Sequence, residues 1–184
     1  TVLRLKAGAS SSSSKSSGTT AGSPDELIED LMGRLPEQFD LIDANDKAQS
    51  LLKGKDAPYI VVLLQELGRM NALTAEIARS LEELRKGLLG QLNMSQKMED
   101  LLSALSIGQV PGRNPFHTAS WEKHAWPSMK GLQSWFSDLI VRCAQLSQWA
   151  NNTGLKAPVS MWLPGLFNPT AFLTAIKQVT ARNQ

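Results

Sequence analysis

The residues able to do chemistry are few and scattered. The chain has one cysteine, Cys143, and two histidines, His117 and His124. The histidines stand seven apart with no thiol pair nearby, which does not match the clustered ligands of a zinc site. Cys143 falls on the apolar side of a helical repeat and reads as a small core residue rather than a nucleophile. A single cysteine also excludes a disulfide framework and suits a reducing compartment. Gly54-Lys55 is the nearest approach to a phosphate loop. Asp56 follows it, where a hydroxyl would have to reach a nucleotide-bound Mg²⁺, and no Walker-type loop occurs. The acidic residues fall on helix starts and polar faces, where solvated-surface roles suffice. No catalytic, cofactor-binding or metal-ligating residue is assigned, and no enzymatic activity is expected of this segment.

The aromatic residues are less evenly spread. All five tryptophans, Trp121, Trp126, Trp135, Trp149 and Trp162, lie in the last 64 of 184 residues. Stacking on nucleic-acid bases would need a basic groove, and a net charge of +2 gives no electrostatic case for nucleic acid or an anionic membrane. Core packing is the simpler role for most of them. Trp162, Leu166 and Phe167 differ, because they sit between prolines rather than on a helical face. They either cover a core edge or form an apolar patch that docks onto a neighbour, and the sequence leaves both open.

These residues depend on elements that the apolar spacing predicts. Leu63, Leu67, Met70, Ile77, Leu81, Leu84 and Leu88 recur at three, four or seven, a period that fits a helix and not a strand. The helix would run over 58–89, roughly 48 Å at 1.5 Å per residue, with Asp56 as cap and Pro58 in its first turn. Gly68 inside it suggests either a close helix crossing or a tolerated glycine. Glu82 precedes Lys86 by four residues, a favourable pair.

Ser23-Pro24-Asp25-Glu26 starts a short helix that ends near residues 33–36. Phe39 to Ile42 reads as a bend, and Asp43 as the cap of a second short helix closed by Gly54. A further helix starts at Asn93 or Ser95 and ends at Gly108, folding back as a hairpin after a short connection. Residues 109–127 carry three prolines and no helical period, so Trp121 and Trp126 are expected to pin this loop to the core.

Ser128 is read as the start of an amphipathic helix through Trp149, with Asp138 and Arg142 paired on its polar side. Asn168-Pro169 opens a last helix burying Phe172, Leu173, Ile176 and Val179. The expected fold is all-α, a multi-helix bundle or plate around one long helix. Residues 1–23 form a low-complexity, serine-rich flexible segment, followed by helical parts at 24–108 and 128–184.

A family resemblance emerges from particular motifs. They include Leu35-Pro36 with Phe39-Asp40, Pro58 to Val62, Gln65-Glu66, Arg69-Met70-Asn71, and Trp126-Pro127-Ser128. Trp135-Phe136, Arg142 and Trp149 follow, and then Trp162-Leu163, Gly165-Leu166-Phe167-Asn168-Pro169 and Phe172 to Ile176. In order and spacing, residues 34–184 resemble the C-terminal region of dynein heavy chains, and the Asn-Pro to Phe-Leu-Thr-Ala ending is similar to the axonemal outer-arm type. The serine-rich start is not a family motif.

The resemblance implies a structural, force-bearing segment bracing the AAA+ ring of an ATP-driven, minus-end-directed microtubule motor. ATP and Mg²⁺ would then bind elsewhere in the parent polypeptide, and the segment itself would hold no cofactor. Its partners would be the rest of the heavy chain and, through the parent complex, other dynein chains and the microtubule. Its location would be the axoneme of a cilium or flagellum. The chain lacks an initial Met and stops after a helical pattern, so a fragment ending before a possible β-barrel is expected. The alternative is a free-standing helical adaptor holding partner helices in an apolar groove along the Leu63–Leu88 stripe.

Overall fold

A computed structural model describes residues 23–113 and 121–182. The low-complexity stretch before residue 23, with Phe116 and His117, lies outside the described residues. Among those described, seven α-helices follow in order: α1 (Pro24–Arg34), α2 (Leu41–Leu51), α3 (Ala57–Leu88), α4 (Gln96–Ser106), α5 (Trp121–His124), α6 (Leu132–Ala150) and α7 (Pro169–Arg182). Short 3₁₀ turns cover Thr153–Leu155 and Leu163–Gly165. There is no strand among the described residues, so the all-α class holds.

The fold is organised around α3, which packs against α1, α2, α4, α5, α6 and α7. Its 32 residues run within one residue of the span that the apolar period predicts. Leu63, Leu67, Met70, Ile77, Leu81 and Leu84 are all fully buried, and one contiguous apolar cluster joins them to both helical parts. The buried stripe stops short of Leu88, which is exposed. Gly87 takes the inward position instead, because α4 passes close by. A Cβ at Gly87 would lie 2.7 Å from Met94 Sδ and 3.3 Å from Met98 Cε.

Gly68 has no such neighbour: nothing lies within 4 Å of a Cβ built there. The close crossing is therefore at the far end of the helix, and Gly68 is a tolerated glycine. Gly68→Ala is expected to stabilise the fold by about 1 kcal/mol, since alanine fits and glycine carries the larger entropy cost in a helix interior. A higher urea midpoint with an unchanged slope would show it, and a lower midpoint would mean that the added methyl meets a neighbour.

Three helix starts differ from their expected caps. Helix α2 is capped by Asp40, whose carboxylate accepts the N–H groups of Ile42 and Asp43 at 2.9 and 3.0 Å. Asp43, the expected cap, lies inside the first turn. The reason is a long-range tie: the Asn71 amide grips the backbone of Phe39, accepting its N–H at 2.8 Å and donating to its carbonyl at 2.7 Å. Asp56 occupies the N-cap position of α3, but its carboxylate makes no capping hydrogen bond. Helix α6 starts at Leu132 rather than Ser128. Arg113 Nη2 holds the carbonyls of Ser128 and Lys130, both at 2.9 Å, and Leu132 N–H bonds to Gly108 at 2.8 Å, which keeps 128–130 out of the helix. By contrast, Ser23 caps α1 through a reciprocal capping box with Glu26, as its sequence predicts.

The loop before α6 is pinned by its tryptophans as expected, and it also carries the short helix α5. Trp121 and Trp126 stack on Trp135 at centroid distances of 6.1 and 5.1 Å. Trp121 Nε1 donates to Ser80 Oγ on α3 at 2.8 Å, which satisfies its polar edge within the core. Helix α7 buries a narrower face than expected. Phe172, Ala175 and Val179 point inward, whereas Leu173 and Ile176 are exposed. One side of α7 meets α3, while Leu173 and Ile176 border an open groove with Pro158 and Met161 and are only partly covered.

Candidate functional site

The irregular strap from Trp162 to Asn168 brings together the residues singled out in the sequence and several that were not. Leu166 is buried, Phe167 is half-buried, and Trp162 is 40% exposed. Phe167 meets Trp126 edge-on at 6.1 Å. Of the three, Leu166 and Phe167 cover a core edge, and Trp162 closes the surface over it.

A strap whose regular structure is a single 3₁₀ turn must find partners for its remaining backbone polar groups elsewhere. Here side chains of α3 and α6 provide them. Gln145 on α6 accepts the Trp162 N–H at 2.9 Å and donates to its carbonyl at 3.2 Å, the same two-handed grip that Asn71 has on Phe39. Glu66 on α3 accepts two successive N–H groups, Phe167 at 2.6 Å and Asn168 at 2.9 Å. Asn168 in turn caps α7, its Oδ1 accepting the Ala171 N–H at 3.0 Å. The Glu66 carboxylate thus sits at the positive end of α7, where the helix dipole favours it. Trp162 has little freedom beneath it either, because a Cβ at Gly165 would come within 2.5 Å of its ring.

Glu66 is 1% exposed, which overturns its reading as a solvated-face residue. Burial raises its pKa above the usual carboxylate range, and the Phe167 and Asn168 N–H bonds, with the charges of Arg69 and Arg142, oppose that rise. Asp100, also buried, departs from the surface reading in the same way and accepts from Gln96 Nε2 at 2.9 Å.

Arg142 is the other correction. It does not sit on the polar face of α6 but is 4% exposed, with its guanidinium 3.9 Å above the Trp126 ring and 5.1 Å from that of Trp162. Asp138, its expected partner, pairs instead with Lys130 Nζ at 2.7 Å. Among the described residues, no acceptor meets Arg142 Nε or Nη1, so the two indole faces hold the cation in place of hydrogen bonds. Burial brings its pKa down to about 10, opposed by the charges of Asp138 and Glu66, so it stays charged at neutral pH.

The other described candidate groups stand apart from this cluster. Cys143 is buried on α6, and its pKa is pushed up to about 12 by desolvation, which keeps the thiol protonated and inert. His124 is exposed at the end of α5. No group of three or more His, Cys, Asp or Glu residues that could hold a metal ion occurs among the described residues. No described helix is long and apolar enough to cross a membrane. The arrangement ties the strap and the start of α7 to α3 and α6 through a carboxylate, an amide and a caged cation.

Comparison with known proteins gives this geometry a family. The family model for the C-terminal domain of the dynein heavy chain matches residues 1–184, so the match includes the serine-rich start that the motifs alone leave outside. The chain is 44% identical over 156 residues to the ciliary dynein beta chain of Heliocidaris crassispina, which covers 85% of this chain and 3% of that one. It is 40% identical over 182 residues to the human dynein axonemal heavy chain 9, covering 99% of this chain and 4% of the relative. Over 156 residues it is 42% identical to the flagellar outer-arm beta chain of Chlamydomonas reinhardtii, again 85% of this chain and 3% of the relative. The chain therefore spans a very small part of the length of the relatives it matches. With its motifs in order and its whole length matched, it belongs to the family of C-terminal domains of dynein heavy chains.

Proposed function

We propose that this segment is a mechanical brace within an axonemal dynein heavy chain, stiffening the AAA+ ring of a motor that hydrolyses ATP and moves along microtubules. The observation that carries this reading is the placement of α3, which every other described helix packs against. A load on any one of these helices then bears directly on the same 32-residue rod. In this reading ATP and Mg²⁺ bind outside the segment. The rest of the heavy chain is its direct partner, and it works in the axoneme of a cilium or flagellum. The names of its relatives, ciliary, axonemal and flagellar outer arm, support that setting.

The adaptor reading needs an open apolar groove along α3. The full burial of Leu63, Leu67, Met70, Ile77, Leu81 and Leu84 leaves none along that stripe. A proline at Arg69 tests the brace, because the position is exposed and central in α3, and an interior proline kinks a helix at about 3 kcal/mol or more. In the parent heavy chain, Arg69→Pro is expected to lower stall force and gliding speed while ATP turnover persists. Unchanged force in a folded variant, or loss of turnover in step with force, would count against bracing.

A further inference from the structure

We infer that the Trp162–Asn168 strap and α7 form one detachable unit, latched by Glu66 and Arg142, that opens while the core around α3 stays folded. Three observations converge on this.

The first is that α7 is held along one face only. Phe172, Ala175 and Val179 are its buried residues, two of them small, while Leu173 and Ile176 face outward. Phe172 is the largest of them and meets Tyr59 at 5.7 Å and Trp149 at 5.5 Å.

The second is that the strap has few backbone bonds beyond its own turns. Its ties to α3 and α6 are side-chain ties, from Glu66 to Phe167 and Asn168 and from Gln145 to Trp162. Cutting Glu66 therefore releases both the end of the strap and the start of α7.

The third is the kind of groups that form the latch. Glu66 and Arg142 are buried charges, and Arg142 keeps two nitrogens without an acceptor among the described residues. Buried charges carry a desolvation penalty that their attraction often fails to recover. Lifting the strap returns both groups to water and offsets the contacts that are lost. The Phe39 segment is the contrasting case: the neutral Asn71 amide grips it in the same way, with no charge to rehydrate. The fold thus has one clasp that seals and one that can open, and a lower-energy opening of the second is a sub-global event of the kind seen in native-state exchange.

Hydrogen exchange read by mass spectrometry on the intact protein tests this, with the Phe39 segment as internal control. In the unmodified protein, peptides across 162–182 should exchange together and faster than those of α3 and α4. Glu66→Gln keeps the shape but turns an NH₂ toward one of the two N–H donors. It should speed exchange of 162–182 by about tenfold or more, the loss expected for a bond to a charged group, and leave the α4 and Phe39 peptides unchanged. Gln145→Ala, at a half-buried position, is the second variant and should accelerate the same unit from its other end. A rise shared by all peptides, a response confined to residues beside the substitution, or a 162–182 segment that exchanges no faster than α3 would each overturn the latch.

Discussion

Met70→Asp is expected to abolish cooperative folding. Met70 is fully buried on the central stripe of α3, between Leu67 and Leu73, in the one apolar cluster that the helices share. An ionised carboxylate there has no cation or donor within the stripe to meet it, and protonation only replaces the charge penalty with an unpaired polar group. The loss is on the order of 5 kcal/mol or more, at the extreme of what single substitutions do and comparable to the whole stability of a typical domain. The expected result is loss of the helical circular-dichroism signal or of a sigmoidal melt, with Leu81→Asp behaving alike. A soluble, helical and cooperatively melting Met70→Asp would show that α3 is not the core.

The second large effect is at Trp135. Its ring lies between those of Trp121 and Trp126 and is 1% exposed, so it joins α6 to the loop that precedes it. Trp135→Ala removes the middle of that stack and is expected to destabilise by about 3–5 kcal/mol through lost burial and the cavity left behind. The loss should not be spread evenly. Trp121 keeps its bond to Ser80, whereas Trp126 loses its stacking partner and with it the support beneath Arg142. Fluorescence of the remaining tryptophans should shift to the red as Trp126 gains water. A melting temperature within error of the parent would mean that the stack adds nothing beyond contact.

The sequence carries the long-period features well and the tertiary polar ones poorly. Helix α3 was legible because six inward residues repeat over many turns, and one sequence pattern has no competing explanation at that length. The aromatic pins Trp121 and Trp126 were legible for a similar reason, since large rings in a proline-rich loop have few other places to go. Glu66 was not legible. Nothing in Gln65-Glu66-Leu67 marks that carboxylate as buried, because its partners, the N–H groups of Phe167 and Asn168, are about a hundred residues away.

Arg142 misled for a different reason. Asp138 stands four residues before it, a spacing that local rules read as an ion pair. Lys130 takes Asp138 instead, and the two indoles take Arg142. Asp40 and Asp43 were equally good caps by residue type, and the choice between them was made by Asn71 on another helix. In each case a residue distant in sequence decided among locally equivalent options.

The tie between Glu66 and Phe167 also sets an order of events during synthesis. Those residues are 101 positions apart, and the same end of α3 that bears Glu66 is covered by Phe172, Ala175 and Val179 of α7. At translation rates of about 5–20 residues per second, that separation is roughly 5–20 s of elongation. For that interval the growing polypeptide can close α1, α2 and α4 onto α3 while Tyr59, Val62 and Glu66 still lack their cover. The first half of α3 is thus the surface a ribosome-associated chaperone would meet, and slowing elongation would lengthen its exposure in proportion.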